Sequence, residues 1–237
     1  MKKKKAKAKK KVTKKEKETV ASVVKDIEKA LFSIKFYPVA VDENSKDEAV
    51  EKLIKVYNRG NETVRQLLLY MIHETMAESA NLRIMHTYEY FKMKNPTLDS
   101  AQLRMNVYRT MFNYNTSMEG IIELIRMLGD LRGSDDAAKL LTYHFSFLST
   151  HENESTHMLR AAILEALGNS DSRYALNALL EYSKYTDNER TFQRIVSALV
   201  QWEDKLDILK VEEAEREKLR AKIREITTRE FSGRHYG

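Results

Sequence analysis

The chain of 237 residues contains no cysteine, which excludes disulfides, thiol nucleophiles and cysteine-ligated zinc. Glycine (7) and proline (2) are rare, and because both interrupt helices their scarcity favours a nearly all-helical body with short connections. No apolar run approaches the about 20 residues that a membrane-spanning helix requires. The N-terminal lysines precede neither an apolar stretch nor a cleavage site, so we expect a cytoplasmic protein without a secretory signal.

Positive charge is concentrated at the N-terminus. Residues 1–17 carry a net charge of +10, whereas the whole chain carries +6, so residues 18–237 carry −4. A run of like charges with so few apolar side chains is typical of disordered segments. We predict a flexible arm that contacts nucleic acid or a ribonucleoprotein, since counterion release drives such binding without reading sequence. Its lysines are Lys2, Lys3, Lys4, Lys5, Lys7, Lys9, Lys10, Lys11, Lys14, Lys15 and Lys17.

Beyond the arm, apolar residues recur at helical spacing between short polar breaks. The predicted helices cover residues 18–36, 45–57, 61–77, 80–93, 98–114, 121–131, 134–147, 153–167, 171–185 and 188–202. We predict that residues 203–230 form a charged helix capping the end of the stack, and that residues 231–237 form a flexible tail.

Several helix starts carry capping signals. Ser45 with Glu48, and Thr116 with Glu119, have the spacing of a capping box, in which the two side chains bond the first unpaired amides of a helix. Asparagine, a favoured N-cap, opens three further helices. These residues are Asn61, Asn153 and Asn188.

One segment of the chain occurs twice. Residues 121–143 align without a gap on residues 160–182 at an offset of 39, and Leu128-Gly129 recurs as Leu167-Gly168. A repeat of about 40 residues, with helical periodicity on both sides of a glycine-containing turn, is typical of stacked helix pairs.

These repeats resemble those of HEAT-like proteins, which belong to the armadillo-like α-α superhelical class. The best-matching block is residues 158–180, MLRAAILEALGNSDSRYALNALL, with an arginine-containing helix, a Leu-Gly exit and a short turn bearing aspartate. The resemblance implies an all-α, right-handed superhelix of about five helix pairs over residues 18–202. It also implies a scaffold that binds a protein partner along a concave surface.

Aromatic and cationic side chains alternate in the middle of the chain. Such side chains can stack on bases or grip a peptide, although aromatic residues more often pack in a core. If the body carries a binding surface, we expect it here. The candidate partner-binding residues are Tyr88, Tyr90, Arg104, Tyr108, Arg109 and Tyr143.

No motif in the sequence requires an enzyme, and we expect no catalytic residue, cofactor or metal. Glu154-x-x-His157 has the spacing of di-iron bundles, but the second copy that such a site needs is missing. We therefore predict a non-enzymatic scaffold. One alternative is a DNA- or RNA-processing enzyme like the HEAT-like DNA glycosylases, whose sites use tryptophans and an aspartate; this chain has only Trp202. A second alternative is a coat- or adaptor-like membrane scaffold that uses the arm on anionic lipid.

Overall fold

The fold was analysed in a computed structural model, which describes residues 21–77, 92–93, 96–103, 116–148, 154–186 and 188–229. Every regular element among these residues is a helix, which confirms the predicted all-α class. The chain divides into two compact units, residues 1–121 and 122–237. The arm lysines, Asn153 and residues 231–237 lie outside the described residues.

Three helices of the first unit are described over most of their length, and residues 92–93 and 100–103 are helical too. The three are α1 (21–35), α2 (Glu43–Arg59) and α3 (Glu62–Ala77). Ile27, Leu53 and Ile72 are each 0% exposed, so apolar side chains from all three helices contribute to the core of this unit. Lys52 of α2 forms a 2.7 Å ion pair with Asp26 of α1 at the surface.

The described helices of the second unit follow each other with short connections. They are α4 (Met118–Asp130), which begins in the first unit, α5 (Asp135–Leu148), α6 (Glu154–Asn169), α7 (Arg173–Tyr185), α8 (Glu189–Lys205) and α9 (Glu213–Thr227). A short 3-10 turn, Leu206–Ile208, joins α8 to α9. α6 packs against α5, α7 and α8, and α9 packs against α8.

The glycines of the repeated Leu-Gly pair lie in the last turns of α4 and α6. A Cβ atom at Gly129 would lie 2.8 Å from the carbonyl oxygen of Ala166, and one at Gly168 would lie 3.0 Å from Cβ of Ala198. Gly129 therefore allows α4 to approach α6 closely, and Gly168 allows α6 to approach α8 closely. The turn after α4 uses a different residue, Gly133, whose φ of +67° favours glycine.

Two predicted capping boxes are wrong in detail. The N-cap of α2 is Asp42, whose carboxylate accepts a 2.8 Å hydrogen bond from the amide of Ser45, so Ser45 lies inside the helix. At α4, the hydroxyl of Ser117 accepts from the amide of Gly120, whereas Thr116 donates its hydroxyl to the carbonyl of Thr75. In both cases the cap is the residue whose side-chain oxygen reaches an amide three residues ahead.

The asparagine starts are confirmed where they are described. Asn61 accepts from the amide of Val64 at 3.1 Å, and Asn188 accepts from the amide of Thr191 at 3.0 Å. The charged C-terminal helix begins later than expected, because α8 continues to Lys205 and α9 starts only at Glu213. Between them Leu206 is 0% exposed, so packing holds this segment in a turn.

A candidate binding groove in the second unit

A groove with a volume of about 560 Å³ opens between α6 and the first turns of α8. Its floor includes Leu164, which is 1% exposed, and Ala161, and Met158 lies at its edge with 52% of its surface exposed. The ionisable side chains that line it are His157 and Arg160 from α6, and Glu189, Arg190 and Arg194 from α8. The described lining thus contains three arginines and one glutamate.

Helix geometry explains how these residues come together. His157, Arg160 and Leu164 are spaced by three and four residues, so they share one face of α6. On α8, the Asn188 cap fixes the start of the helix, and Arg190 and Arg194 then lie one turn apart on the same face. The packing of α8 on α6 makes these two faces the walls of one groove.

Arg160 is held by aromatic packing. The residue is only 9% exposed, and its guanidinium lies over the ring of Phe145 on α5, 5.1 Å from the ring centroid. The Phe145 ring in turn stacks on Tyr182 of α7 at 4.4 Å. Because an aromatic face attracts a cation, this stack stabilises a charged side chain in the wall of the groove.

Arg190 and Arg194 differ from the arginines of the charged helix α9. Both are exposed, and neither forms an ion pair with another residue that the structure describes. By contrast, each arginine within α9 pairs with a glutamate. These pairs are Arg216 with Glu213, Arg220 with Glu217 and Arg224 with Glu203. The α8 arginines therefore present positive charge to whatever enters the groove.

The first unit has a smaller and more apolar groove between α1 and α3. Its volume is about 280 Å³. Phe32 and Tyr70 line it, and their side chains are 61% and 60% exposed. Its charged lining residues are Glu28, Lys35 and Glu74, a mixed set that selects no sign of charge.

Of the six candidate partner-binding residues, only Tyr143 lies within the described part of the chain. It is 58% exposed on α5, and its ring meets that of His144 edge-on at 5.5 Å. It lines neither groove. The other five lie outside the described residues: Tyr88, Tyr90, Arg104, Tyr108 and Arg109.

The single tryptophan has a structural environment. Trp202 is 0% exposed and donates its indole N–H to the carbonyl oxygen of Leu167 at 3.0 Å. A side chain buried in this way cannot stack on a base in a groove. Within the described ranges, no group of three or more His, Asp or Glu residues is arranged to hold a metal ion.

Searches against protein-family models, curated proteins and solved structures found no match to this chain. None of the helices that the structure describes is long and apolar enough to cross a membrane.

The groove arginines were not among the predicted sites. The spacing of Arg190 and Arg194 is the sequence signal that could have indicated them, because two cations one helical turn apart share a face of the helix.

Proposed function

We propose that this protein is a non-enzymatic adaptor. Its HEAT-like helical body holds a protein partner, and its lysine-rich arm contacts nucleic acid or a ribonucleoprotein. The observation that carries the proposal is the separation of charge along the chain, with +10 in residues 1–17 and −4 in the remainder. A basic arm on a mildly acidic body favours electrostatic contact through the arm rather than through the whole surface.

The grooves of the two units support the role of the body. Each lies between packed helices and combines apolar surface with charged side chains, as surfaces that bind peptides do. The burial of Trp202 weighs against the glycosylase-like alternative, because such a site needs an accessible tryptophan. The arm also explains why the chain is basic overall although the body is not.

The test uses full-length protein in which all eleven arm lysines are replaced by glutamine, here called the arm-neutral variant. The matched control replaces the same lysines by arginine and so keeps the charge. Binding of a labelled RNA hairpin and of a labelled DNA duplex is measured by fluorescence anisotropy from low salt to about 0.3 M. Far-ultraviolet circular dichroism confirms that the helical content is unchanged.

We expect the parent and the arginine control to bind with a steep salt dependence, since each neutralised phosphate releases counterions. The arm-neutral variant should bind at least about tenfold more weakly near 0.1 M salt, with a shallower slope. Undiminished binding by the arm-neutral variant would refute the role of the arm. Tight binding of the parent to vesicles containing phosphatidylserine, with no binding to RNA or DNA, would favour the membrane scaffold instead.

A further inference from the structure

We propose that the groove between α6 and α8 binds an acidic peptide segment of a partner protein. This inference rests on the proposed function, because it gives the chemistry of the partner that the body holds. The ligand would place carboxylate side chains against Arg190 and Arg194, and an apolar side chain against the floor around Leu164.

The charge of the groove selects an anion. Arg190, Arg194 and Arg160 line it, and Glu189 is the only acidic residue among the lining residues that the structure describes. A guanidinium offers a planar set of N–H donors that matches a carboxylate in a bidentate arrangement. Since Arg190 and Arg194 lie one helical turn apart, their spacing suits two acidic side chains of one peptide.

The surroundings favour a peptide over a nucleic acid. Residues 122–237 contain 17 lysines and arginines but 20 aspartates and glutamates, so a long phosphate backbone would meet net repulsion outside the groove. The described lining includes the imidazole of His157 but no tryptophan, tyrosine or phenylalanine, so it offers little ring surface on which bases could stack. A short acidic segment needs only the local cluster, and Met158, Ala161 and Leu164 offer its apolar side chain a contact surface.

The arrangement of the walls favours binding without a large rearrangement. Arg160 is already oriented by its contact with Phe145, and the Asn188 cap fixes the first turn of α8. A preorganised wall loses less side-chain entropy when the ligand binds. Lysines at these positions would supply the same charge but not the bidentate geometry.

The experiment is a selection from a display library of random 12-residue peptides. The bait is the full-length arm-neutral variant, because arm lysines would themselves capture acidic peptides. In this background, Arg190→Gln/Arg194→Gln removes the two positive charges that α8 places in the groove. Lys218→Gln/Lys222→Gln is the matched control, since it removes two exposed charges at the same spacing on α9.

We expect the arm-neutral bait and the Lys218/Lys222 control to select peptides enriched in aspartate and glutamate around an apolar residue. The Arg190/Arg194 variant should bind those peptides at least about tenfold more weakly. An Arg190→Lys/Arg194→Lys variant keeps the charge, so its affinity for the selected peptides should lie between those of the bait and the Arg190/Arg194 glutamine variant. If the glutamine variant does not fold, the lysine variant replaces it in the comparison. Unenriched peptides, or equal affinity of both glutamine variants, would overturn the proposal.

Nucleic acid is tested with the same proteins. A 20-nucleotide single-stranded RNA is offered to the arm-neutral protein and to its Arg190→Gln/Arg194→Gln variant. If the RNA binds the first protein, binds the second more weakly, and no acidic peptide is selected, the groove is a nucleic-acid site and the peptide proposal is wrong. Neither this outcome nor a failed peptide selection changes the result of the arm experiment. The role of the groove and the role of the arm can therefore fail separately.

Discussion

Trp202 on α8 donates its indole N–H to the carbonyl oxygen of Leu167 on α6, at 3.0 Å. One turn later, Lys205 donates to the carbonyls of Gly168 and Asn169 at 3.1 and 2.7 Å. The last carbonyls of a helix lack partners within that helix. Two side chains of α8 thus cap the C-terminus of α6, and they fix the packing of the two helices that form the arginine groove.

Trp202→Phe should destabilise the protein without changing its binding to nucleic acid. The substitution removes the hydrogen bond to Leu167 and leaves unfilled volume at a site that is 0% exposed. We expect the free energy of unfolding to fall by about 2–3 kcal/mol in urea titrations. Tyr185→Phe, at a position 63% exposed, should change it by less than about 0.5 kcal/mol. Loss of RNA affinity in a Trp202→Phe variant of unchanged stability would support the glycosylase-like alternative.

Gly129→Ala should cost more stability than Gly168→Ala, although both replace a helical glycine in the same place of the repeat. The new Cβ at residue 129 meets the backbone oxygen of Ala166 at 2.8 Å, which cannot move alone. At residue 168 the nearest atom is the flexible end of Gln201, at 2.9 Å. We expect a loss of about 1–3 kcal/mol at 129. The atoms of Ala198 that the Cβ at 168 would also meet lie slightly farther away, at 3.0 and 3.1 Å, and the better helix propensity of alanine should offset part of this crowding. Thermal unfolding measures which of the two variants is less stable. A larger loss of stability for Gly168→Ala than for Gly129→Ala would contradict this packing.

Tyr182 should make stability fall at high pH. Burial raises the pKa of its phenol to about 12, from 10.0. At a pH between these two pKa values, the unfolded chain has lost the phenol proton while the folded chain keeps it. The free energy of unfolding therefore decreases as the pH rises through this range. Partial exposure limits the effect to roughly 1–2 kcal/mol.

The measurement for Tyr182 compares parent and variant in urea between pH 9 and 12. Tyr182→Phe should lose the part of the pH dependence that this phenol contributes. Tyr143→Phe, on the exposed surface of α5, serves as the control and should follow the parent. Parallel pH profiles for the parent and Tyr182→Phe would show that this phenol is not responsible.

Asp42 should stabilise α2, whereas Ser45 should matter little. The amide of Ser45 donates a hydrogen bond to the carboxylate of Asp42 and thereby lowers its pKa. A lowered pKa contributes stability at neutral pH that is lost as the pH falls through the folded pKa, below about 4. Asp42→Ala should therefore lower the melting temperature at pH 7, and its difference from the parent should shrink in acid. A larger loss from Ser45→Ala would restore the capping box predicted from sequence.

Local patterns predicted the helices well. The aligned repeat gave the positions of α4 and α6 to within three residues, because apolar spacing is a local signal. The cap at Asp42 was missed because Asp42 and Ser45 are both residue types that cap helices, and the sequence does not show which side-chain oxygen accepts an amide. The late start of α9 has a similar cause, since burial of Leu206 is not visible in a charged stretch.

The arginine groove could not be predicted in the same way. Arg160 and Arg190 are 30 residues apart, and only the packing of α8 on α6 makes them line one groove. The structure distinguishes the arginines of α8 from those of α9. The difference lies in their partners, because glutamates at i−3 neutralise Arg216 and Arg220, whereas no such ion pair with a described residue forms at Arg190 or Arg194.

The simultaneous binding of two ligands by one chain is tested by a ternary binding measurement. The affinity of the full-length protein for a labelled RNA hairpin is measured in a saturating concentration of an acidic peptide selected on the groove. The reference is the same concentration of the scrambled peptide, because both peptides have the same charge and compete equally for the arm lysines. If the protein is an adaptor, the affinity for RNA in the two peptides differs by less than about twofold, and the complex gains the mass of the selected peptide. If the selected peptide displaces the RNA and the scrambled peptide does not, arm and groove are not separate sites, and the protein is not such an adaptor.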